Sequence, residues 1–316
     1  MKLTINEIRQ MQGLPLDLKI KKSQLRIREF YNHFDGDVIV AFSGGKDSTV
    51  MLDLVRKLYP DVPAIFNDTG LEYPEVREFV KTIDNVITVK PEMNFKKVLE
   101  TYGYPVVSKT TANQLRALQK RKYCIDNNLP VTNEKTCNMY LSGYTSKGVK
   151  MKGHSIPEKW KYLVDAPFKI SEQCCNIMKK NPAHKYCKKH NLHSYVGTMA
   201  CDSEQRKMVY ARLGCNSYKG NINSRPLSFW MQKDIWDYIH KYQLPYSKIY
   251  DMGYRNTGCM FCMFGAHMSK PNRFQIMEHT HPQLYKYCME KLGLKDILHY
   301  MKIPYHGLPI KLEKFL

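Results

Sequence analysis

Apolar and polar positions alternate along this chain in two rhythms. Val38 to Phe42 is an unbroken apolar run, the pattern of a strand buried on both faces. Val50, Met51, Leu52, Leu54, Val55 and Leu58 follow at helical spacing and predict a helix over 49–59, stopped by Pro60. The alternation continues with a strand at 63–66 and a helix over 74–81, with Pro74 in its first turn. A strand at 85–89 and a helix at 95–101 come next. Further on, 192–197 reads as a strand and 230–241 as an amphipathic helix carrying Trp230, Ile235, Trp236 and Ile239. Residues 1–35 read as helical with a break at Gly13 and Pro15, and 274–300 as helical again.

Strand and helix in regular succession predict an α/β fold: a parallel sheet with helices on both faces and right-handed crossovers, with helical N- and C-terminal extensions. Ligands of such sheets sit at the carboxyl ends of the strands. The rhythm is lost over about 110–165, which reads as an insertion. The expected division is an N-terminal helical extension (1–36), an α/β domain (37–250) containing that insertion, and a C-terminal segment (251–316) that is loop-rich over 251–273.

The turn after the first strand changes the picture from fold to chemistry. It reads Ser43-Gly44-Gly45-Lys46-Asp47-Ser48 and leads straight into the helix. Strand, glycine turn and helix set free backbone N–H groups and a helix N-terminus against an anion. Two glycines permit close approach, Lys46 adds a point charge, and Ser43 and Ser48 add hydroxyls. The spacing is not that of the Walker loop, which needs four residues between its first glycine and its Gly-Lys pair. Asp68-Thr69-Gly70 ends the second strand at the same sheet edge.

Charge narrows the partners. Lys and Arg number 49 against 29 Asp and Glu, a formal charge of +20, which favours polyanions such as tRNA, DNA or charged nucleotides. Between residues 109 and 161 only Asp126, Glu134 and Glu158 oppose eleven basic residues. Tyr123, Tyr140, Tyr144, Trp160 and Tyr162 are interleaved with them, a combination suited to looped or single-stranded nucleic acid. No apolar run reaches the length of a membrane span, and the N-terminal residues lack the apolar centre of a signal peptide, so no membrane partner and a cytoplasmic location are expected.

Ten cysteines in a chain read as cytoplasmic argue for metal or redox chemistry over disulfides. Cys174 and Cys175 are adjacent, and Cys259 and Cys262 form a C-x-x-C flanked by Gly258 and Gly265. Thiolate-only sets suit zinc or iron–sulfur clusters. Neighbouring cysteines diverge, which is awkward for one zinc ion, whereas a cubane cluster offers separate iron corners. Cys187, Cys201 and Cys215 read as small buried hydrophobes, with a catalytic thiol among them as the alternative. Cys124 and Cys137 lie in the basic insertion, where a second metal or redox pair is open. His279 and His281 flank Thr280 at an expected helix start. At i, i+2 they do not share a face, and no metal is assigned to them.

Residues 43–48 resemble the pyrophosphatase (PP) loop of the adenine-nucleotide α-hydrolase superfamily, Ser-Gly-Gly-x-Asp-Ser, whose members split ATP between the α and β phosphates. The cysteine doublet followed at long range by C-x-x-C is similar to the [4Fe-4S] signature of adenylyl-sulfate reductases in the phosphoadenylyl-sulfate (PAPS) reductase family. The resemblance extends over roughly residues 37–265. It includes Asp68 to Glu75, Lys179 and Pro182 after the doublet, and Gly197 to Arg206. Arg225-Pro226-Leu227, Leu244-Pro245-Tyr246, Tyr250-Asp251 and Gly253 continue it. It implies a Rossmann-like fold with a nucleotide on Ser43, Gly44, Gly45, Lys46, Asp47, Ser48, Asp68, Thr69, Gly70, Gly197 and Arg206. Lys46, Asp47 and Ser48 are then the catalytic group, and Cys174, Cys175, Cys259 and Cys262 the ligands of a [4Fe-4S] cluster, with ATP and Mg²⁺ as the other cofactors.

Three departures shape the functional expectation. The chain ends Lys311 to Leu316 without the Glu-Cys-Gly motif that carries the sulfur-attacking cysteine of the reductases, and its last cysteine is Cys288. Its phosphate loop is intact, whereas in the reductases it is usually degenerate. Met199 stands where the related loop often has arginine. The expected function is cleavage of ATP to AMP and pyrophosphate to activate a nucleic acid, tRNA or DNA, for sulfur insertion, with a sulfur-donor or electron-donor protein as partner. The alternatives are a sulfonucleotide reductase that uses an external thiol, and a non-catalytic nucleotide-binding, redox-sensing subunit.

Overall fold

The computed structural model describes residues 3–151 and 153–307. The chain opens with α1 (Ile5–Gln12), closed at its start by a capping box between Thr4 and Glu7, and α2 (Leu16–His33). The strand β1 (Val38–Ala41) follows, then α3 (Lys46–Arg56), β2 (Ala64–Asn67), α4 (Pro74–Lys81) and β3 (Val86–Val89). Next come α5 (Phe95–Tyr102), α6 (Lys109–Asp126), α7 (Glu134–Ser142) and a 3₁₀ helix, Glu158–Asp165. A π-helical stretch, Asn176–Lys180, precedes α8 (Asn181–Lys189), β4 (His193–Val196) and α9 (Glu204–Leu213). The short strands β5 (Asn216–Ser217) and β6 (Asn223–Ser224) lead to α10 (Gln232–Tyr242). The chain then passes through α11 (Arg273–Thr280), α12 (Pro282–Lys286), a second π stretch, Tyr287–Lys291, and α13 (Leu294–Tyr300).

The chain forms two compact units, each built from two separate segments. The first comprises residues 1–91 and 181–257, the second 92–180 and 258–316. In the first, six strands form a mostly parallel sheet flanked by helices, in the order β3-β2-β1-β4-β6-β5, with only β5 antiparallel to its neighbour. The apolar run of the first strand lies at the centre: β1 pairs in parallel with β2 through Val40↔Ala64 and with β4 through Ile39↔Ser194. From β1 the chain proceeds to β2 and β3 on one side, and β4 returns on the other. The topological switch therefore falls between β1 and β4, at whose carboxyl ends a doubly wound sheet binds its ligand.

Ile27, Phe30, Val40, Leu54 and Trp230 are fully buried in the core of this unit. The helices α2, α3 and α10 pack on one another, and α8 packs on β2 and β3. Lys19 of α2, 2% exposed, donates to Asp234 of α10 at 2.5 Å and to the Gln12 carbonyl at 2.6 Å. A charge so buried is tolerated because its partner and the carbonyl replace water.

In the second unit α6 carries Ala112, Leu115 and Leu118 on a buried stripe and packs on α7 and on the 3₁₀ helix Glu158–Asp165. Helix thus occupies much of the stretch whose strand–helix rhythm was lost. The stretch expected to be helical over 274–300 is interrupted. His279 lies in the last turn of α11, and His281 is both the C-cap of that helix and the N-cap of α12, so the pair spans the end of one helix and the start of the next. Among the described residues no helix is long and apolar enough to cross a membrane.

Candidate functional site

The phosphate loop is built from its glycines. Gly44 has φ +71°, and a Cβ there would come within 2.8 Å of Val76 and Val80 of α4. Both the backbone angle and the space require glycine. Gly45 is the N-cap of α3 and has no side chain of its own to cap that terminus. The helix begins at Lys46, earlier than its apolar periodicity suggests, so Lys46, Asp47 and Ser48 form its first turn. A helix N-terminus without an N-cap side chain is a place where an anion can take the first-turn N–H groups.

The hydroxyls brace the turn. Ser48 Oγ donates to the Gly45 carbonyl at 2.8 Å, accepts from the Ser43 amide at 3.1 Å and lies 3.1 Å from Ser43 Oγ. Gly197, at the end of β4, lies so close to this turn that a Cβ would stand 2.9 Å from the Asp47 carbonyl oxygen. Gly197 therefore joins the site by letting the β4 loop pack on the helix start.

Tyr250, which the sequence singled out only as part of the resemblance, also belongs to this site, together with Arg255 and Thr257, which it did not single out. The Lys46 backbone N–H donates to the Tyr250 hydroxyl at 2.8 Å. Lys46 Nζ, on a side chain 3% exposed, donates to the Arg255 carbonyl at 3.4 Å and lies 3.3 Å from Asp47 Oδ1. A Cβ on Gly45 would meet Thr257 Oγ1 at 2.4 Å. The protein's own chain thus occupies donors that a phosphate would take. Burial raises the Asp47 carboxyl above its ordinary value against the pull of Lys46. No local periodicity marks Tyr250 or Thr257, because their partners are some two hundred residues away in the chain.

Arg206, in α9, pairs with Asp202, which also accepts from Gln232 Nε2 at 2.9 Å, and the charges of Asp202 and Arg206 are felt at Asp47. Asp68 pairs with Arg77 at 3.0 Å, and the Thr69 amide and hydroxyl donate to Glu72 at 2.8–3.0 Å. Asp68, Thr69 and Gly70 form a tied-down loop after β2, on the same sheet edge as the phosphate loop. Met199 is buried in the core, where it presents no charge to an anion.

All four candidate cluster cysteines belong to the second unit. Cys174 and Cys175 immediately precede the π stretch Asn176–Lys180. Glu172, just before them, accepts from Arg116 and Asn113 of α6 at 3.0 Å. Burial opposes its ionisation, but those bonds prevail and hold its carboxyl below the ordinary value. A hydrogen bond links the two thiols: that bond and burial push Cys174 up, while the same bond, with Lys109 and Lys179, pulls Cys175 down. Charge on Cys259 or Cys262 pushes Cys174 further up, so the four sulfurs are electrostatic neighbours.

The C-x-x-C turn is closed by the Cys262 amide on the Cys259 carbonyl at 3.1 Å, and Arg273 Nη1 donates to the same carbonyl at 2.8 Å. The Gly265 amide donates to Val107 at 2.9 Å, and Val107 is held at φ +60°, a costly conformation for a β-branched residue. Burial pushes Cys262 up to about 11. Among the described residues no three His, Cys, Asp or Glu side chains converge tightly enough to grip a metal ion as they stand. The donor set still fits a thiolate-bound cluster: four thiols with Lys109, Lys179 and Arg273 beside them to offset thiolate charge.

Cys137, Cys187, Cys201, Cys215 and Cys288 make the contacts of packed side chains. Burial pushes Cys201 up to about 11 and Cys215 and Cys288 up to about 12. Cys187 lies 3.7 Å from Ser194 Oγ, and Cys137 donates to the Ala117 carbonyl and to Asn133.

A family model, the phosphoadenosine phosphosulfate reductase domain, matches residues 37–127 and 134–264. An uncharacterized protein of Methanocaldococcus jannaschii is 27% identical over 75% of this chain, which covers 38% of that protein; for a second one the identity is 26%, and 46% is covered. The chain therefore spans less than half the length of these relatives. The adenosine 5'-phosphosulfate reductase of Halalkalibacterium halodurans is 22% identical over 82% of this chain and 86% of its own. Among solved structures, the phosphoadenylyl-sulfate reductase of Candida auris aligns with 82% of this chain and 97% of its own at 15% identity and a TM-score of 0.42. The U34-tRNA thiolase NcsA of Methanococcus maripaludis, with its [4Fe-4S] cluster, aligns with 93% of this chain and 83% of its own at 16% identity and a TM-score of 0.34. With its model matched over both the phosphate loop and the four cysteines, this chain belongs to the phosphoadenosine phosphosulfate reductase domain family.

Proposed function

We propose that this protein binds ATP on residues 43–48 and cleaves it to AMP and pyrophosphate, activating a nucleic acid for sulfur insertion. The observation that carries the reading is the intact phosphate loop at the start of α3, with Lys46 buried against it. A degenerate loop suffices to hold a sulfonucleotide, whereas one that retains lysine, aspartate and both serines suits a departing pyrophosphate.

In this mechanism the loop amides and Lys46 take the charge that develops on pyrophosphate, and Ser48 and Asp47 hold the turn and assist Mg²⁺. Gly197 lets the β4 loop close on the turn, Asp68 to Gly70 line the nucleotide edge, and Arg206 clamps a phosphate when released from Asp202. An oxygen of the acceptor attacks the α-phosphorus and the bond to the β-phosphate breaks. A sulfur nucleophile then displaces AMP. Cys174, Cys175, Cys259 and Cys262 would hold the [4Fe-4S] cluster, which supplies a thiophilic iron site when bound. Lys46→Ala is expected to abolish release of AMP and pyrophosphate while leaving iron content unchanged; retained turnover would remove Lys46 from the mechanism.

A second reading is favoured by the curated relatives: the adenosine 5'-phosphosulfate reductase of Halalkalibacterium halodurans matches most of both chains. In that reading the same loop binds a sulfonucleotide and an external thiol attacks its sulfur. Sulfite formed from adenylyl sulfate and a thiol, without pyrophosphate from ATP, would establish it.

A further inference from the structure

The second unit contains a cavity of about 650 Å³, within the range of small-ligand sites. Its walls combine aromatic rings with lysines, and among the described residues no carboxylate lines it. The 3₁₀ helix Glu158–Asp165 supplies Lys159, Trp160 and Tyr162, and the end of α13 and the turn after it supply Tyr300 and Lys302. His267 and Lys270 close the rim.

The rings form one continuous surface. Trp160 and Tyr162 have centroids 6.4 Å apart, Tyr162 and Tyr300 5.8 Å, and Trp160 and His267 5.1 Å. Trp160 is buried beneath this surface, whereas Tyr162 and Tyr300 are 41% and 37% exposed. Lys159 Nζ stands 5.4 Å from the Trp160 ring centroid. Burial and the charge of Lys159 hold His267 below its ordinary pKa, so at neutral pH it is an uncharged ring, and its buried Nδ1 has no hydrogen-bond partner among the described residues.

We propose that this cavity binds an unpaired nucleotide of a nucleic acid chain, with the base against Tyr162 and Tyr300 and the flanking phosphates on Lys159, Lys270 and Lys302. Base–aromatic stacking tolerates any sequence but needs a base with a free face, which a paired base lacks. Lysines at the rim supply sequence-independent phosphate contacts. The cavity deepens the proposed function, resting on its nucleic-acid acceptor, but it shares no residue with the phosphate loop and is tested by binding without ATP.

The test is fluorescence anisotropy of labelled tRNA, an unstructured DNA strand and a DNA duplex on the anaerobically purified full chain, over a salt series. Because Tyr162 and Tyr300 are exposed, Tyr162→Ala with Tyr300→Ala leaves the fold intact. Binding of unpaired strands should weaken roughly tenfold or more, with duplex binding unchanged. Tyr162→Phe with Tyr300→Phe should restore affinity, since the ring and not the hydroxyl does the stacking. Lys159→Ala with Lys302→Ala should flatten the salt dependence by about two. The tRNA and DNA-strand arms separate an RNA from a DNA source.

Unchanged affinity in the tyrosine double variant, a preference for duplex, or equal competition by polyglutamate would overturn the proposal, the last pointing to an acidic protein partner. Pyrophosphate release without nucleic acid should be equal in all three variants. The tyrosine effect without any pyrophosphate release would sustain the cavity and sink ATP cleavage. Release stimulated by nucleic acid without a tyrosine effect would do the reverse.

Discussion

Tyr250→Phe isolates what the segment before the C-x-x-C does to the phosphate loop. Without nucleotide, the Tyr250 hydroxyl accepts the Lys46 amide at 2.8 Å and is hydrogen-bonded to Thr257. Removing the hydroxyl leaves the Lys46 amide without its partner at a buried helix start. Losing one partner of a buried bond costs about 1–3 kcal/mol, and the nucleotide-free protein should be destabilised by that much. A bound phosphate would supply the missing acceptor. If it takes the Lys46 amide, the bound state never contained the Tyr250 bond, and the variant loses nothing there. The thermodynamic cycle then returns the loss in the free protein as a gain in binding. Nucleotide affinity should rise about tenfold for every 1.4 kcal/mol lost by the free protein. Calorimetric titration of ATP or pyrophosphate, paired with denaturant unfolding of the unliganded protein, measures both sides. Weaker nucleotide binding by Tyr250→Phe would refute the reasoning and make Tyr250 a direct phosphate ligand.

Other perturbations give distinct outcomes. The Asp47 carboxyl is raised by burial, so the folded state binds its proton more tightly than the unfolded state, and stability falls as pH rises from the unfolded value toward the folded one. Asp47→Asn should therefore stabilise the fold at neutral pH, lose that advantage below about pH 4, and abolish pyrophosphate release; denaturant unfolding at the two pH values checks the sign. Asp234→Ala should cost about 3–5 kcal/mol by stranding the buried Lys19 charge, read as a lower unfolding midpoint with an unchanged slope. Cys175→Ser or Cys259→Ser should remove most iron and sulfide from the anaerobically purified protein and leave ATP binding intact. Full iron content in either variant would remove that residue from the ligand set.

The sheet was legible because β1 is an unbroken apolar run and α3 and α4 carry clear helical stripes. The family-defining sites were legible for a different reason: the phosphate loop is contiguous, and the cysteines are chemically rare. In α6 the buried stripe of Ala112, Leu115 and Leu118 is present but diluted among charged and polar residues, so the basic composition masked it. The discontinuous units arise from contacts between distant segments, which leave no local pattern. The same holds for Tyr250 and Thr257 at the loop, for Lys109 beside Cys175, and for the meeting of Tyr162 with Tyr300, each of which becomes meaningful only through a long-range neighbour.

The central claim is that this loop cleaves ATP for an acceptor. Pyrophosphate release by the anaerobically purified protein, with and without bulk tRNA or DNA, tests it most directly. Release that one nucleic acid stimulates, with AMP formed in equal amount, is the expected result. No release under any of these conditions, together with sulfite formed from adenylyl sulfate and a thiol, would contradict it and assign the intact loop to a sulfonucleotide reductase.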